Sequence, residues 1–299
     1  MQYRESLGYR LFYYGNILFM VTLCVVILYP YLNVLSVGLN DNGTVPGRGL
    51  MIMPRAPTLM NFRALFVDAN ITRSAVVTLA RVVLGVMLTL SVEYCAAYAL
   101  SKKYLGGRKA LLFFFIVPMF ITGGLIPSYI LYSRMHLLNN FLVYILPSAC
   151  SFFDILIMRA FIGTIPESLE ESARIDGASE FQILRKIYFP LSAPIIATVA
   201  LWSAVYHWND WTSTLYFVPT NVNMSTLQFE LQRILREANR AYMVIQSAIM
   251  HGQMPRQAPR TSEGIRSAQI ILTTLPIVLI YPFLQKYFIK GILLGSIKE

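Results

Sequence analysis

The chain has few charged residues: they make up 13% of its 299 positions, whereas hydrophobic residues make up 56%. This balance is too apolar for a soluble domain of that length and indicates a membrane protein. Cysteine and histidine are also scarce, with three of each. They lie far apart along the chain, which excludes a disulfide framework and predicts no metal site.

Catalytic and nucleotide-binding motifs are absent as well. No stretch reads Gly-x-x-x-x-Gly-Lys followed by Ser or Thr, so the chain lacks a loop that would hold the phosphates of ATP. No Ser/His/Asp set or zinc signature appears, so no catalytic residue is predicted. The net charge of +10 is scattered without a basic stripe or recognition helix, which argues against nucleic acid as a partner.

Long stretches of the chain contain few charged residues or none, and these stretches predict membrane spans. A span needs roughly 20 apolar residues. The apolar runs are residues 11–40, 74–101, 110–133, 137–158, 187–206 and 267–285. The sequence therefore predicts an all-α membrane protein with six transmembrane helices in one domain, residues 1–299. The first run is too long for a signal-peptide core, so we expect it to remain as an uncleaved anchor.

Basic residues in short loops predict the orientation in the membrane. Lys102, Lys103, Arg108 and Lys109 crowd the connection between spans two and three, and short loops carry the positive-inside rule. With six spans, both termini and residues 164–190 are then cytoplasmic. Residues 217–266 form an external loop, and the protein is a multi-pass component of the inner (plasma) membrane.

The loop of residues 164–190 carries the signals of a helix–turn–helix. Pro166 suits a first helical turn, and Gly177 supplies a left-handed stop. Ser179 and Gln182 have the spacing of a capping box for a second helix, which Pro190 ends or kinks. These signals predict a rigid knob, which a partner protein could push.

The same loop resembles the EAA loop of ABC importer permeases. In this chain the motif reads Glu171-Ser172-Ala173, then Gly177 after three positions, then Ile-Tyr-Phe-Pro at 187–190. These spacings are the same as in the family's motif. Ser172 and the Phe at 189 depart from the usual Ala and Leu. The alternative is an ordinary amphipathic helix on the membrane surface. The resemblance implies a coupling surface for an ATP-binding subunit, formed by Glu170, Glu171, Ser172, Ala173, Asp176, Gly177 and Ala178.

Other segments are similar to permeases of the maltose-type carbohydrate branch. They are 96–101 (AAYALS), 123–129 (GGLIPSY), 208–211 (WNDW) and the C-terminal 285–298. The resemblance implies the ABC type I importer permease fold, a second and different permease subunit, two ATP-binding subunits that carry ATP and Mg, and an extracytoplasmic solute-binding protein. Membrane lipid surrounds the spans, and no cofactor is expected on this chain. The glycines and proline of 123–129 weaken the helix that contains them.

Aromatic residues near the outer end of span five are candidates for the substrate path. Rings stack on the apolar faces of sugars, while amide and carboxylate groups bind hydroxyls. An interfacial aromatic belt or plain packing is the alternative. The candidates are Trp202, Tyr206, Trp208, Asn209, Asp210 and, in span three, Tyr129.

Three charged residues fall within predicted spans: Arg81, Glu93 and Asp154. Burying a charge is costly, so each is a functional candidate, either in the translocation path or in a structural ion pair with the partner subunit. In the other class of function that we consider, an ion-coupled secondary transporter, they would relay ions. That class does not require the knob, and the internal repeat that it would predict is absent from the sequence.

The external loop is rich in arginine and poor in acidic residues. In maltose-type permeases the corresponding loop reaches into the binding protein, so Arg256 and Arg260 are candidate contacts to substrate or binding protein. Guanidinium groups pair with carboxylates in a two-point fashion. This favours an acidic oligosaccharide, such as a fragment of alginate or pectin. Pairing with acidic residues of the binding protein, or simple solvation, remains the alternative.

Overall fold

The computed structural model describes residues 7–41, 52–67, 69–251 and 262–296, and within these ranges its regular elements are helical. The helices are α1 (Leu7–Gly38), α2 (Met60–Val67), α3 (Ala69–Ser101), α4 (Arg108–Met119), α5 (Leu125–Arg134), α6 (Phe152–Ile162), α7 (Glu167–Ile175), α8 (Glu180–Ile183), α9 (Phe189–Leu191), α10 (Ala193–Asn209), α11 (Thr212–Phe217), α12 (Leu227–Met250) and α13 (Ser262–Ser296). Short 3-10 turns lie at Phe141–Tyr144 and Val222–Met224, and a π-helical turn at Leu184–Tyr188 joins α8 to α9.

Three helices in the described ranges are long and apolar enough to cross a membrane: Leu7–Gly38, Asn70–Ser101 and Glu263–Pro282. The helical stretch Glu180–Leu191 and α10 meet at an angle of 80° and make a fourth span if the pair is counted as one. These elements match four of the six apolar runs. Six continuous transmembrane helices are therefore not confirmed.

The other two apolar runs are helical only in parts. In 110–133, α4 and α5 have 12 and 10 residues and are separated by a break at which Gly124 has φ 80°. This confirms that the glycine pair weakens the helix. In 137–158, only α6 is α-helical, with 11 residues. Pro147 lies in the irregular stretch before it, where proline cannot donate a backbone hydrogen bond. Composition predicted apolar segments correctly, but not their continuity.

The described chain divides into two units. One draws on residues 1–69 and 231–275. In it, the Asn61 side chain donates to the carbonyls of Gly38 and Asn40, each at 2.9 Å, and so holds α2 to the end of α1. Gly38 itself lies so close to α13 that a Cβ would come 3.1 Å from the backbone nitrogen of Ala268. Most of α1 is exposed, as expected of a helix that meets lipid or another subunit.

The second unit draws on residues 70–230 and 276–299. Its core forms where α3, α6 and α10 meet, with Ala97, Met158 and Val199 fully buried. Gly85 allows α10 to approach α3 closely, because a Cβ there would lie 2.2 Å from Nε2 of His207. The candidate residues that the structure describes all belong to this unit.

Candidate functional site

The loop between α6 and α10 folds as its local sequence predicts. Gly177 has φ 80°, and its backbone N–H bonds to the carbonyl of Arg174 at 3.0 Å while that of Ala178 reaches Ala173 at 2.9 Å. This pair of bonds is the Schellman arrangement that ends a helix. The left-handed stop is confirmed. Pro166 precedes the first helical residue of α7 rather than lying within the helix.

The capping box of the second helix is also confirmed. Ser179 N–H donates to Oε1 of Gln182 at 2.8 Å, and Gln182 N–H donates back to Oγ of Ser179 at 3.4 Å. The helical stretch that begins here continues through Pro190 and ends at Leu191, where the chain bends into α10. Pro190 therefore lies in the last turn of this stretch, one residue before its end.

The seven predicted coupling residues divide by environment. Glu171, Ser172, Asp176 and Gly177 are exposed, whereas Ala173 and Ala178 pack against the core and Glu170 is buried. The most exposed apolar side chains on the same loop were not among the predicted residues: Ile175 is 87% exposed and Phe181 is 67% exposed. Their only signal in the sequence is an apolar residue within a polar stretch.

Glu170 lies in a cage that joins the loop to the end of α3. The Lys102 ammonium forms an ion pair with Glu170 and lies 4.0 Å and 4.1 Å from the ring centroids of Tyr98 and Tyr188. The Tyr188 hydroxyl donates to Glu170 at 2.6 Å. We call Lys102, Glu170, Tyr98 and Tyr188 the inner cage. In the sequence, Lys102 indicated only the orientation of the chain in the membrane.

Arg174 extends these contacts on the surface of the loop. Its guanidinium donates to Oε1 of Glu170 and to the Tyr104 hydroxyl, at 2.9 Å and 2.8 Å, and also pairs with Glu180. The Tyr98 hydroxyl donates to the other oxygen of Glu180 at 3.0 Å. Residues from α3, α7 and α8 are thus held in one network.

The electrostatics of the inner cage favour an ionised Glu170. Burial by itself would raise the pKa of this carboxyl, but hydrogen bonds from Lys102, Tyr188 and Arg174 outweigh it and lower the pKa below the ordinary value. The carboxylate therefore stays charged at neutral pH and keeps the ammonium in place.

A second buried cation lies toward the other end of α3. Arg81 is 1% exposed, forms an ion pair with Asp210, and donates to the Asp210 carbonyl at 3.2 Å. Its Nε lies 3.3 Å from Nδ1 of His207, and its guanidinium lies 4.8 Å from the centroid of the Tyr144 ring. We call these four residues the outer cage. Arg81 thus has its partner within this chain.

The carboxylate of Asp210 is fully engaged. It accepts hydrogen bonds from the backbone N–H groups of Thr212 and Ser213, at 2.9 Å and 3.2 Å, and from both hydroxyls. Burial would raise its pKa, but the charge of Arg81 and these hydrogen bonds lower it to about 2. Asp210 therefore fastens the start of α11 to α3. Its acceptors are occupied without a sugar.

The other predicted substrate-path residues are partly accessible. Trp202, Tyr206 and Tyr129 are exposed, and Tyr129 stacks on Phe217 with ring centroids 6.4 Å apart. Asn209 is exposed as well. Trp208 is buried, so its ring packs within the unit. Arg256 and Arg260 lie outside the described residues.

Glu93 joins α3 to the start of α6. It is fully buried, and its Oε1 accepts the N–H of Ser151 at 2.6 Å, which places a carboxylate at the positive end of α6. Asp154, in the first turn of α6, is half-buried. Arg81 and Glu93 do not pair with each other, as their spacing along α3 predicts. In the part of the chain that the structure describes, no group of three acidic, His or Cys side chains could hold a metal ion.

Comparison with known proteins decides the family. Residues 82–294 match the family described as the binding-protein-dependent transport system inner membrane component. The chain belongs to this family. The resemblance of the 171–190 loop to ABC importer permeases is thereby confirmed, and the protein is a multi-pass inner-membrane permease.

Two relatives from Bacillus subtilis (strain 168) match this permease over nearly all of its length. Protein LplC is 34% identical over 289 residues, 97% of this chain and 95% of the relative. The polygalacturonan/rhamnogalacturonan transport system permease protein YtcP is 33% identical over 288 residues, 95% of this chain and 96% of the relative.

Solved structures match the permease in fold. A chain from the crystal structure of a bacterial ABC transporter involved in the import of the acidic polysaccharide alginate has a TM-score of 0.82 and 27% identity, covering 95% of this permease and 99% of that chain. A chain from a bacterial alginate ABC transporter in complex with a periplasmic protein bound to an alginate pentasaccharide has a TM-score of 0.58 and 16% identity, and shares the fold.

Proposed function

We propose that this permease forms half of the translocation pathway of an ABC importer for acidic oligosaccharides, such as polyuronate fragments. The observation that carries the proposal is the match at a TM-score of 0.82 to a transporter described as importing acidic alginate. A relative described as carrying polygalacturonan and rhamnogalacturonan supports the same substrate class. Both descriptions name polymers that contain uronic acids.

The assembly that we propose contains a second, different permease subunit, two ATP-binding subunits and an extracytoplasmic binding protein. ATP and Mg bind to the ATP-binding subunits, so this chain is not itself an enzyme. Residues 1–299 act as one transmembrane domain with six membrane crossings, two of them through the broken runs 110–133 and 137–158. Both termini and the 164–190 loop are cytoplasmic, and residues 217–266 are external.

In this assembly, α7 is the coupling helix. Glu171, Ser172, Asp176 and Gly177 are exposed on the loop beside Ile175 and are available to an ATP-binding subunit. Closure of the two ATP-binding subunits displaces the loop and changes the pathway from inward-facing to outward-facing.

On the sugar side, Trp202, Tyr206 and Tyr129 offer exposed rings for stacking. The exposed amide of Asn209 adds a hydrogen-bonding group, although it already donates to the Val205 carbonyl at 3.0 Å. Trp208 and Asp210 act indirectly, by holding α10 and the start of α11. Arg256 and Arg260 contact either the carboxylates of the sugar or acidic residues of the binding protein.

The test is transport by the complete complex in proteoliposomes, with an oligogalacturonate and a neutral oligosaccharide of equal length as substrates. We expect ATP-dependent uptake of the acidic sugar only. Uptake that needs an ion gradient and no ATP would identify a secondary transporter instead. ATP-dependent uptake of the neutral sugar alone would refute the acidic substrate.

A paired variant separates direct recognition from docking of the binding protein. Replacing Arg256 and Arg260 by Gln should lower the coupled ATPase rate with the acidic sugar only, whereas replacing Arg240 by Gln serves as a control in the same loop. If the arginines bind the binding protein instead, both sugars should lose activity alike and high salt should have the same effect.

A further inference from the structure

One unbroken helix connects the two caged cations. Helix α3 runs from Ala69 to Ser101, with Arg81 inside it and Lys102 directly after its last residue. At 1.5 Å per residue, the two cations are roughly 30 Å apart along the helix axis. The inner cage and the outer cage are therefore fixed to opposite parts of the same helix.

The inner cage fastens the coupling helix to α3. Lys102 is only 7% exposed, and its ammonium is enclosed by Tyr98 of α3, Glu170 of α7 and Tyr188 of the π-helical turn. A cation enclosed by two aromatic faces and a carboxylate is held from three sides. Moving α7 away from α3 would leave the buried Lys102 ammonium without its carboxylate, while Glu170 would keep only Arg174 of its own helix as a charged partner, so the two helices are constrained to move together.

The next residue in the chain shows what a weak attachment looks like. Lys103 also pairs with α7, through Glu167 at 2.6 Å, but the two side chains are 77% and 65% exposed. An exposed ion pair is screened by water and salt and contributes little. The two neighbouring lysines thus form the same kind of ion pair with α7, one buried and the other exposed to solvent.

The outer cage fastens the other part of α3 to the junction of α10 and α11. Arg81 binds the carboxylate of Asp210, and that carboxylate accepts the backbone N–H groups of Thr212 and Ser213 at the start of α11. Arg81 and Asp210 therefore join α3 to this junction through buried contacts.

We infer that α3 transmits the displacement of the coupling helix to the α10–α11 junction, with Lys102 directly after its last residue and Arg81 within it as the positioning residues. The inference rests on the proposed function, because it takes α7 as the helix that the ATP-binding subunit moves. Transmission requires that a change at one end alter the response at the other, so the test measures both ends.

The experiment uses the complete complex in nanodiscs, in a background that lacks Cys24, Cys95 and Cys150. A Tyr216→Cys substitution places a probe on α11, where the side chain is 41% exposed. The rate at which a maleimide modifies this probe is measured without nucleotide and with ATP plus vanadate. Binding of the ATP-binding subunits is measured on the same samples.

We expect nucleotide to change the modification rate in the parent complex. Lys102→Met should reduce that change roughly tenfold, in the usual range of coupling between sites. Lys103→Met, the matched control, should leave the change intact. Lys102→Arg should restore most of it, because a guanidinium also stacks on rings and pairs with a carboxylate.

Arg81→Lys tests the outer end without altering the cytoplasmic surface. Lysine keeps the charge but loses the guanidinium contacts to the Asp210 carbonyl and to His207, so this variant should reduce the nucleotide-dependent change at position 216 while the ATP-binding subunits remain bound. If either Lys102→Met or Arg81→Lys keeps the parent response with those subunits bound, the inference is overturned. A parent complex that takes up sugar with ATP but shows no nucleotide-dependent change at position 216 also overturns the inference, whereas a parent complex without ATP-dependent uptake shows that the proposed function fails instead.

Discussion

Replacing Arg81 by Met would leave the Asp210 carboxylate buried without its cation. Methionine has nearly the length of the arginine stem, so the change removes charge and hydrogen bonds more than volume. The bonds to the Asp210 carbonyl and to His207 are lost, together with the stacking on Tyr144. Removing one partner of a buried ion pair costs about 3–5 kcal/mol. The remaining hydrogen bonds of Asp210 do not replace the positive charge.

The predicted loss is large enough to measure as a melting temperature of the purified permease in detergent. At about 2–4 °C per kcal/mol for a protein of comparable size, the midpoint should fall by on the order of 10 °C. Arg73 provides a control on the same helix, because it is exposed and its guanidinium bonds the side chain of Asn223. Arg73→Met should cost about 1 kcal/mol or less.

A double-mutant cycle tests whether the cost arises from the pair. Arg81→Met combined with Asp210→Asn removes both charges, so the double variant should be more stable than the sum of the single effects predicts. The coupling energy between Arg81 and Asp210 obtained from this cycle should be about 1–3 kcal/mol. The reasoning is refuted if Arg81→Met melts like Arg73→Met, or if the two substitutions in the outer cage are additive.

Three further predictions concern the knob and the α3–α10 contact. Gly177→Val should strain the left-handed stop by about 1–2 kcal/mol and sharply lower the sugar-stimulated ATPase rate. Gly106 also lies in open space but has no positive φ, so Gly106→Val should leave the ATPase rate unchanged. Equal ATPase rates in the two variants would contradict this prediction. Gly85→Ala should lower the melting temperature by overpacking against His207, at a cost of about 1–3 kcal/mol, whereas the same substitution in a His207→Ala background should cost little relative to that background. The pKa of Glu170 is lowered in the fold, so its contribution to stability is present above the ordinary pKa of 4.5 and is lost as pH falls below it. The difference in melting temperature between the parent and Glu170→Gln should therefore shrink from pH 6 to pH 4, and a constant difference would exclude an ionised Glu170.

The features of the knob could be predicted because their signals are local. Gly177 stops α7 through its own backbone, and Ser179 and Gln182 cap α8 across three positions. Such signals depend on neighbours in sequence and survive without knowledge of the tertiary fold. The spacing of the motif residues indicated the permease family, and membership of that family implied the fold.

The two cages could not be predicted because their members are distant in sequence. Lys102 and Glu170 are 68 positions apart, and Arg81 and Asp210 are 129 positions apart. A charge inside an apolar run indicates that a partner exists, but the sequence does not say which of the acidic residues it is. Arg81 was thus recognised as a candidate without its role, and Lys102 was interpreted only as a topology signal.

The two aspartates among the predicted site residues show how far residue type alone can lead. Asp176 follows α7 on the exposed loop and is available to a partner subunit. Asp210 instead forms a buried ion pair with Arg81 and accepts hydrogen bonds from Thr212 and Ser213. Their chemistry is the same, and each lies beside a motif that resembles a functional one. Burial and occupied acceptors separate them, because a carboxylate that is already saturated has little to gain from a sugar hydroxyl. The aspartate of the 208–211 motif is therefore explained by the position of α11 relative to α3, and in the function that we propose recognition of sugar falls to the exposed rings near it.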